Sequence, residues 1–393
     1  MKENTAPKSP RNYAVEFWRF FLCMTFMLIH VFMIYPVMYW NIAPYVTDSG
    51  KVLFSGAMDI IIIFYIISGY FLMRSYRKRK LQRKDEKTTP AKEAWGYLSK
   101  RLKGLYPAFL IALVFGLVLS NIYRDIPIQD WLFTAIDSIW EFLGTIVTGL
   151  GIGNNAYGLY TDGMHALMNG PLWFISAIFI VGYLVYYLLE KNEDTFLGLI
   201  APFGFLIAYG YFHLNGISPM WYNTMAGGYL NQAFVQAFVC MGLGCLFYVA
   251  IEKINSKPMS TKMKWLLTIV QLICAGIIIY HTLFSTKFYF TTIHAIAAIL
   301  TFLTLLNKDY ITKLLNHKIW HYPGKLALYI YMLHFPIIGV LYKVFNITNL
   351  LTLGIVTVII TIVLSIIMMI VVDEFITPAL MKPKKEKLTK AKS

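Results

Sequence analysis

The chain has 393 residues, of which 58% are hydrophobic and only 14% are charged, and its net charge is +15. A soluble chain of this length needs far more charge to cover its surface, so the composition excludes a soluble enzyme and predicts an all-α, polytopic membrane bundle. A membrane-crossing helix needs roughly 20 mostly apolar residues, so the length allows about ten spans joined by short loops.

Ten apolar segments predict the transmembrane helices in chain order. They lie near residues 15–36, 52–73, 104–122, 172–190, 196–213, 229–251, 265–284, 288–306, 326–345 and 349–372. Together they predict a membrane domain over residues 1–380, followed by a basic tail over residues 381–393. The first segment is long and aromatic, which predicts a retained span rather than a cleaved signal peptide.

Lysine and arginine are distributed unevenly between the loops. With the N-terminus in the cytoplasm, 30 of the 35 basic residues fall in cytoplasmic loops and tails, and Lys51, Arg124, Lys287 and Lys343 fall outside. This asymmetry follows the positive-inside rule and predicts that both termini are cytoplasmic. It accounts for the net charge without a nucleic-acid partner, so we expect lipid rather than a polyanion around the chain.

Two weaker features complete the topology. Residues 131–150 are moderately apolar but include Asp137 and Glu141, which predicts a helix on the outer membrane face rather than an eleventh span. The four cysteines fall in apolar spans without metal-ligand spacing. We therefore expect buried thiols and no metal site.

Two ionisable side chains in the first span point to function. A charge in hydrocarbon costs at least about 2.5–3.5 kcal/mol, so Arg19 and His30 need a reason to be there. His30 lies eleven positions after Arg19, which puts both on one helix face, roughly 16 Å apart along the axis. Glu16 is placed to orient Arg19. The alternatives are an interfacial arginine anchor and a histidine satisfied by a backbone carbonyl.

Five motifs in this order resemble those of the acyltransferase-3 family of bacterial membrane acyltransferases. The first is the Arg19–His30 pair, separated by ten residues. The others are FYIISGYFL at residues 64–72, YLSKRLKGLYPAF at 97–109, PLWFIS from residue 171, and LALYIYMLHFPII at 326–338. The chain departs from the family pattern at Gly104, where an arginine is usual, and at Ile62, where many members carry an acid; Asp59 lies one turn earlier.

The resemblance implies transfer of an acyl group, usually acetyl, from cytoplasmic acyl-coenzyme A to a hydroxyl of an extracytoplasmic sugar. Acetyl-coenzyme A is then a donor substrate, and its phosphates would bind Arg19, Lys100, Arg101 and Lys103 at the span boundary. Ser68 could donate to the thioester carbonyl, although close helix packing is the other interpretation of Ser68 and Gly69.

A sugar hydroxyl becomes a good nucleophile when a base removes its proton, and His30 is the candidate base. Asp59 is expected at comparable depth, where it could orient His30 or form a polar pair elsewhere in the bundle. His334 and Tyr329 are expected to line the same cavity, and Trp173 could stack on the sugar. Direct transfer and a relay through an acylated side chain both remain open.

Two other functions compete with acyl transfer. A transporter of a lipid-linked sugar would also need buried ionisable residues, but it predicts two related halves with broken spans, which the sequence does not show. The second alternative is a binding module that has lost activity. Gly104 and Ile62 favour that hypothesis, whereas Arg19 and His30 argue against it.

Overall fold

The computed structural model describes residues 11–39, 42–83, 88–137, 169–215, 224–225 and 230–381. These residues form an all-α bundle with one small antiparallel pair, in which β1 (Thr224–Met225) lies beside β2 (Leu230–Asn231). The predicted fold class, a polytopic helical membrane bundle, is confirmed.

Thirteen α-helices of five or more residues follow one another along the described part of the chain. They are α1 (Tyr13–Ile29), α2 (Ile62–Gln82), α3 (Pro90–Tyr123), α4 (Trp131–Asp137), α5 (Trp173–Lys191), α6 (Ala201–Leu214), α7 (Gln232–Asn255), α8 (Thr261–Phe284), α9 (Phe290–Leu306), α10 (Tyr310–Leu315), α11 (His321–Lys343), α12 (Leu350–Ile370) and α13 (Thr377–Met381). A 3-10 helix (Ala57–Ile61) leads into α2, and a π-helix (His30–Tyr39) continues α1.

Ten of these helices correspond to the ten predicted spans. Among the described residues, nine helical segments are long and apolar enough to cross a membrane, and α9 is a shorter apolar helix of 17 residues. Helix α3 has 34 residues and begins well before the predicted start at residue 104. Thr89 caps its N-terminus and Pro90 occupies the first turn, so the basic segment before the span is helical too. The predicted surface helix is described only as α4, because residues 138–168 lie outside the described residues.

Helix α11 is the centre of the bundle. It packs against α1, α3 and α12. In the 18-residue apolar stretch of this helical segment, 83% of the residues are buried inside the protein. The corresponding share for α12 is 28%, so α12 lies at the lipid-facing periphery. The functional histidines predicted from the sequence lie on α11 and at the end of α1, so they are held by the most enclosed part of the fold.

Two glycines allow α2 and α7 to pack unusually closely. A Cβ atom at Gly69 would lie 2.0 Å from the carbonyl oxygen of Met241, and one at Gly244 would lie 2.1 Å from that of Ile66. Both obstacles are backbone atoms, which cannot move aside. The packing interpretation of Gly69 therefore describes what this residue does in the fold.

One end of the bundle is rich in basic residues, and we call it the basic end; α2 ends there and α3 begins there. Glu193 pairs with Arg77 and Lys80 of α2, and Arg83 pairs with Glu190 and Glu93. These ion pairs tie the end of α2 to the start of α3 and to the end of α5 with the residues that follow it.

Candidate active site

A cavity of about 410 Å³ opens between α1, α2, α3, α5 and α11. This central cavity is lined by four side chains that the sequence predicted to act together: Arg19, Ser68, Lys100 and Arg101. Its volume falls within the roughly 300–1,000 Å³ that is usual for small-molecule sites. The structure therefore brings three cations and a hydroxyl from three different helices into one space.

Arg19 is held in the cavity wall by a carboxylate. Its Nη1 atom lies 2.9 Å from Oε2 of Glu16, and Arg11 Nη2 lies 2.7 Å from the other Glu16 oxygen. Glu16 is buried against α11, where a Cβ atom at Gly324 would come within 2.4 Å of it. The Arg19 side chain remains 31% exposed, so the guanidinium is oriented and still reachable by an anion.

Lys100 and Arg101 enter the central cavity from α3, near its basic end. The guanidinium of Arg101 also lies over the ring of Tyr97, at 5.5 Å from the ring centroid. Lys103 is exposed and is not among the described residues that line the cavity. Gly104 does line it, and the space around its Cα is open, so the position where the resemblance led us to expect an arginine is open space here.

The far end of the central cavity is aromatic and aliphatic. Phe26, Phe64 and Phe174 line it together with Ile61. The rings of Phe26 and Phe64 are 6.1 Å apart, and those of Phe64 and Phe174 are 5.9 Å apart. The cavity thus has a charged mouth toward the basic end and an apolar inner end.

His30 lies one helical turn beyond Phe26, just past this inner end. It is 7% exposed, and its Nδ1 atom is 2.6 Å from the carbonyl oxygen of Phe26. The same Nδ1 atom is 3.3 Å from Nε2 of His334, which is completely buried. The structure therefore places His334 against His30, behind the cavity wall, rather than in the lining where it was expected.

Both helices that carry these histidines are interrupted by proline. A proline lacks the N–H group that the carbonyl four residues earlier would normally accept. In the first span the carbonyl of Phe32, four residues before Pro36, accepts from the Tyr45 N–H at 2.8 Å. The backbone shifts from α to π-helical at His30, a change that is common at functional sites.

The same arrangement recurs in α11. Pro336 leaves the carbonyl of Met332 without its helical donor, and Asn169 Nδ2 donates to it at 2.7 Å. Asn169 was not predicted from the sequence. The only local signal was a proline inside a predicted span, which indicates that some outside donor is needed but does not say which.

Asp59 has a partner other than His30. Its Oδ2 atom lies 2.9 Å from Nε2 of His281 at the end of α8. The backbone N–H of Thr286 donates to the other nitrogen of His281 at 3.0 Å. Asp59 was expected to orient His30, but its carboxylate instead joins the turn before α2 to α8, which is the polar-pair interpretation.

Tyr329 and Trp173 were both expected to contact substrate. The hydroxyl of Tyr329 donates to Oδ1 of Asp373 at 2.7 Å, and Lys325 pairs with the other oxygen of that carboxylate. Neighbouring residues of α11, Leu328 and Tyr331, line the central cavity instead. Trp173 begins α5, but its side chain lies outside the described part of the structure.

Comparison with known protein families identifies nearly the whole chain. A family model described as an acyltransferase domain matches residues 12–372. The match begins at the cap of α1 and ends in the helical extension of α12, so it includes every helix that lines the central cavity. No curated protein and no solved structure gives a significant match to the chain.

Proposed function

Because this chain belongs to the acyltransferase-3 family and is a multi-pass membrane acyltransferase, we propose that it transfers an acyl group from acyl-coenzyme A to a carbohydrate hydroxyl. Acetyl is the expected group, and the acceptor is a carbohydrate or lipid-linked glycan on the opposite side of the membrane. The observation that carries this proposal is that Arg19, Ser68, Lys100 and Arg101 line one cavity whose inner end lies a turn from His30.

The two-part cavity suits a coenzyme A thioester. The phosphates of coenzyme A are strongly anionic, and arginine and lysine bind phosphate through charge-assisted hydrogen bonds. Arg19, Lys100 and Arg101 supply these cations at the mouth. The pantetheine arm is long and largely uncharged, and it would extend along the aromatic inner part toward Phe26. No metal takes part in the proposed reaction.

The orientation follows from the charge of the loops. The loops and tails predicted to be cytoplasmic carry 30 of the 35 lysine and arginine residues, and basic loops stay on the cytoplasmic side of bacterial plasma membranes. Both termini and the mouth of the central cavity would then face cytoplasmic acyl-coenzyme A. The His30 end of the first span would face the extracytoplasmic acceptor.

His30 supplies the acid–base chemistry in this proposal. Its Nε2 atom removes the proton of the acceptor hydroxyl while the oxygen attacks the thioester carbonyl. The carbon–sulfur bond then breaks, and the proton on Nε2 passes to the departing coenzyme A thiolate, so protons balance over the cycle. Ser68 would donate to the carbonyl oxygen as its charge develops.

The inner end of the cavity places one condition on this step. Phe26 lines the inner end of the cavity and His30 does not, so the thioester would have to displace the Phe26 ring to reach the imidazole. Donor binding would therefore open the passage in which the acceptor hydroxyl meets the acyl group.

Release of free coenzyme A tests the proposed function. The purified full chain is incubated with acetyl-coenzyme A and surface glycans extracted from a bacterial envelope, and thiol release is compared with acetate on the glycan. We expect equal amounts of the two products, both lost in Arg19→Ala and His30→Ala at normal membrane levels. Movement of a glycan across the membrane without acyl transfer would instead identify a transporter.

A further inference from the structure

We infer that His334 is a positioning residue that fixes the proton of His30 on Nδ1 and so leaves Nε2 of His30 as the basic atom. This inference rests on the proposed function, because it assigns the roles of the two nitrogens in the same reaction. It gives His334 a role through His30 and not through contact with substrate.

The hydrogen bonds define both tautomers. Nδ1 of His334 lies 3.0 Å from the carbonyl oxygen of Ile330, which can only accept, so this nitrogen carries the proton. Nε2 of a neutral His334 is then an acceptor, and it faces Nδ1 of His30 at 3.3 Å. The second neighbour of His30 Nδ1 is the Phe26 carbonyl at 2.6 Å, again an acceptor. Two acceptors meet on this nitrogen, so it must be the protonated one.

The lone pair of His30 is consequently on Nε2. Within the described part of the chain this atom has no hydrogen-bond partner, and His30 keeps 7% of its surface exposed beside the inner end of the cavity. The two rings have centroids 5.0 Å apart and planes inclined by 58°, which is a hydrogen-bonding rather than a stacking arrangement. When Nε2 takes the hydroxyl proton, the His30 ring becomes positively charged, and Nε2 of His334 accepts a hydrogen bond from its Nδ1–H. The proton of His334 itself is on Nδ1, where it is donated to the Ile330 carbonyl.

The backbone on both sides of His334 is fixed from outside its helix. Asn169 donates to the Met332 carbonyl that Pro336 leaves open, and the hydroxyl of Tyr35 donates to the Phe335 carbonyl at 2.7 Å. Asn169 is 1% exposed and lies in the segment that leads into α5. The part of α11 around Pro336 is therefore held against α1 at the level of His30. Asn169 supports the position of His334, and Pro336 is what makes that support necessary.

Substitutions at His334 separate a hydrogen-bonding role from a packing role. In His334→Gln the side-chain carbonyl can still accept from His30 Nδ1, whereas His334→Leu fills similar space without an acceptor. We expect His334→Leu to lower kcat roughly 10²-fold, since the charged His30 ring loses one hydrogen bond while the Phe26 carbonyl still accepts from Nδ1. The KM for acetyl-coenzyme A should change less than about two-fold, because the phosphate contacts are intact. His334→Gln should recover most of the lost kcat.

The matched control is His213→Leu, which removes an exposed histidine at the end of α6. It should leave kcat and KM unchanged. Equal kcat values for wild type and His334→Leu would overturn the inference, and so would equal losses in the Leu and Gln variants. If His30→Ala retains full activity, the proposed function itself fails. If His30→Ala loses activity and His334→Leu does not, only the role of His334 fails.

Nitrogen-15 NMR measures the tautomer of His30 directly in the wild-type protein. The full chain labelled at histidine ring nitrogens is compared with His30→Gln to assign the His30 signals. We expect a protonated Nδ1 and an unprotonated Nε2 in the wild type, and a weaker preference in Asn169→Ala and His334→Leu, where the Phe26 carbonyl is the acceptor that remains. A wild-type His30 protonated on Nε2 would contradict the inference even if every variant loses activity.

Discussion

The carboxylate of Asp59 and the imidazole of His281 form a 2.9 Å contact between two segments that lie 222 residues apart in the chain. His281 is 2% exposed at its side chain, and Asp59 is 21% exposed. Thr286 donates to the second nitrogen of His281, so the proton of a neutral ring lies on Nε2 and points to Asp59. The pair therefore joins the turn before α2 to the end of α8.

Substitution of either Asp59 or His281 should destabilise the bundle by a similar amount. Asp59→Ala and His281→Ala each leave a polar group without its partner, at a cost of about 1–3 kcal/mol in the free energy of unfolding. The double variant should be little worse than either single one, because both remove the same interaction. Unfolding of the purified chain in detergent provides the measurement. A catalytic role for Asp59 predicts the opposite pattern, with kcat lost in Asp59→Asn and stability unchanged.

The helices could be predicted from the sequence because their signals are local. Apolar runs define the spans, and helical periodicity alone places Arg19 and His30 on one face of the same helix. Even there, the basic start of α3 was missed, since a hydropathy pattern detects the membrane-crossing part of a helix and not its extension into water.

The partners of the buried polar groups could not be predicted, because they are set by packing between distant helices. His30 meets His334 across 304 residues, and Asn169 reaches Met332 across 163. Nothing near either residue in the sequence specifies these contacts. Both prolines were visible, but the donors that replace their missing N–H groups come from other segments.

Arg19 should be needed mainly for donor binding. Arg19→Ala should lower kcat/KM for acetyl-coenzyme A about 10²-fold, the equivalent of one or two hydrogen bonds to a charged group. Arg19→Lys should recover only part of this loss, because an ammonium cannot bind Glu16 and a phosphate in the fixed geometry of a guanidinium.

Arg11 provides the matched control for Arg19. It pairs with the same Glu16 carboxylate, but it is not among the described residues that line the central cavity. Arg11→Ala should change kcat/KM far less than Arg19→Ala in the same assay. Equal losses in the two variants would show that the effect comes from a disturbed Glu16 and not from contact with the donor.

Filling the central cavity at Gly104 should block the donor without harming the fold. A side chain there meets open space inside the cavity, so Gly104→Leu should fold normally and raise the KM for acetyl-coenzyme A at least about ten-fold. Gly276→Leu is the control, because Gly276 is also in open space but faces outward from α8. An unchanged KM in Gly104→Leu would mean that the donor binds elsewhere.

Alanine substitutions at Gly69 and Gly276 should change the stability of the protein in opposite directions. Gly69→Ala places a Cβ atom 2.0 Å from a backbone oxygen, so α2 and α7 must separate at a cost of more than about 1–3 kcal/mol. Gly276→Ala should stabilise α8 by up to about 1 kcal/mol, because alanine favours the helix and nothing obstructs it. Thermal unfolding in detergent compares the two. An unaffected Gly69→Ala protein would disprove the close packing of α2 and α7.

The most direct measurement follows a labelled acyl group across a membrane. Full-length protein is inserted into sealed vesicles that enclose an extracted surface glycan, and acetyl-coenzyme A with a labelled acetyl group is added outside. Protease cleavage of the C-terminal tail reports which molecules expose their basic end. Label should accumulate on the enclosed glycan in proportion to that fraction, and His30→Ala vesicles should show none. Transfer that persists without His30, or that tracks the molecules with the basic end enclosed, would contradict the proposed path from the basic mouth past Phe26 to His30.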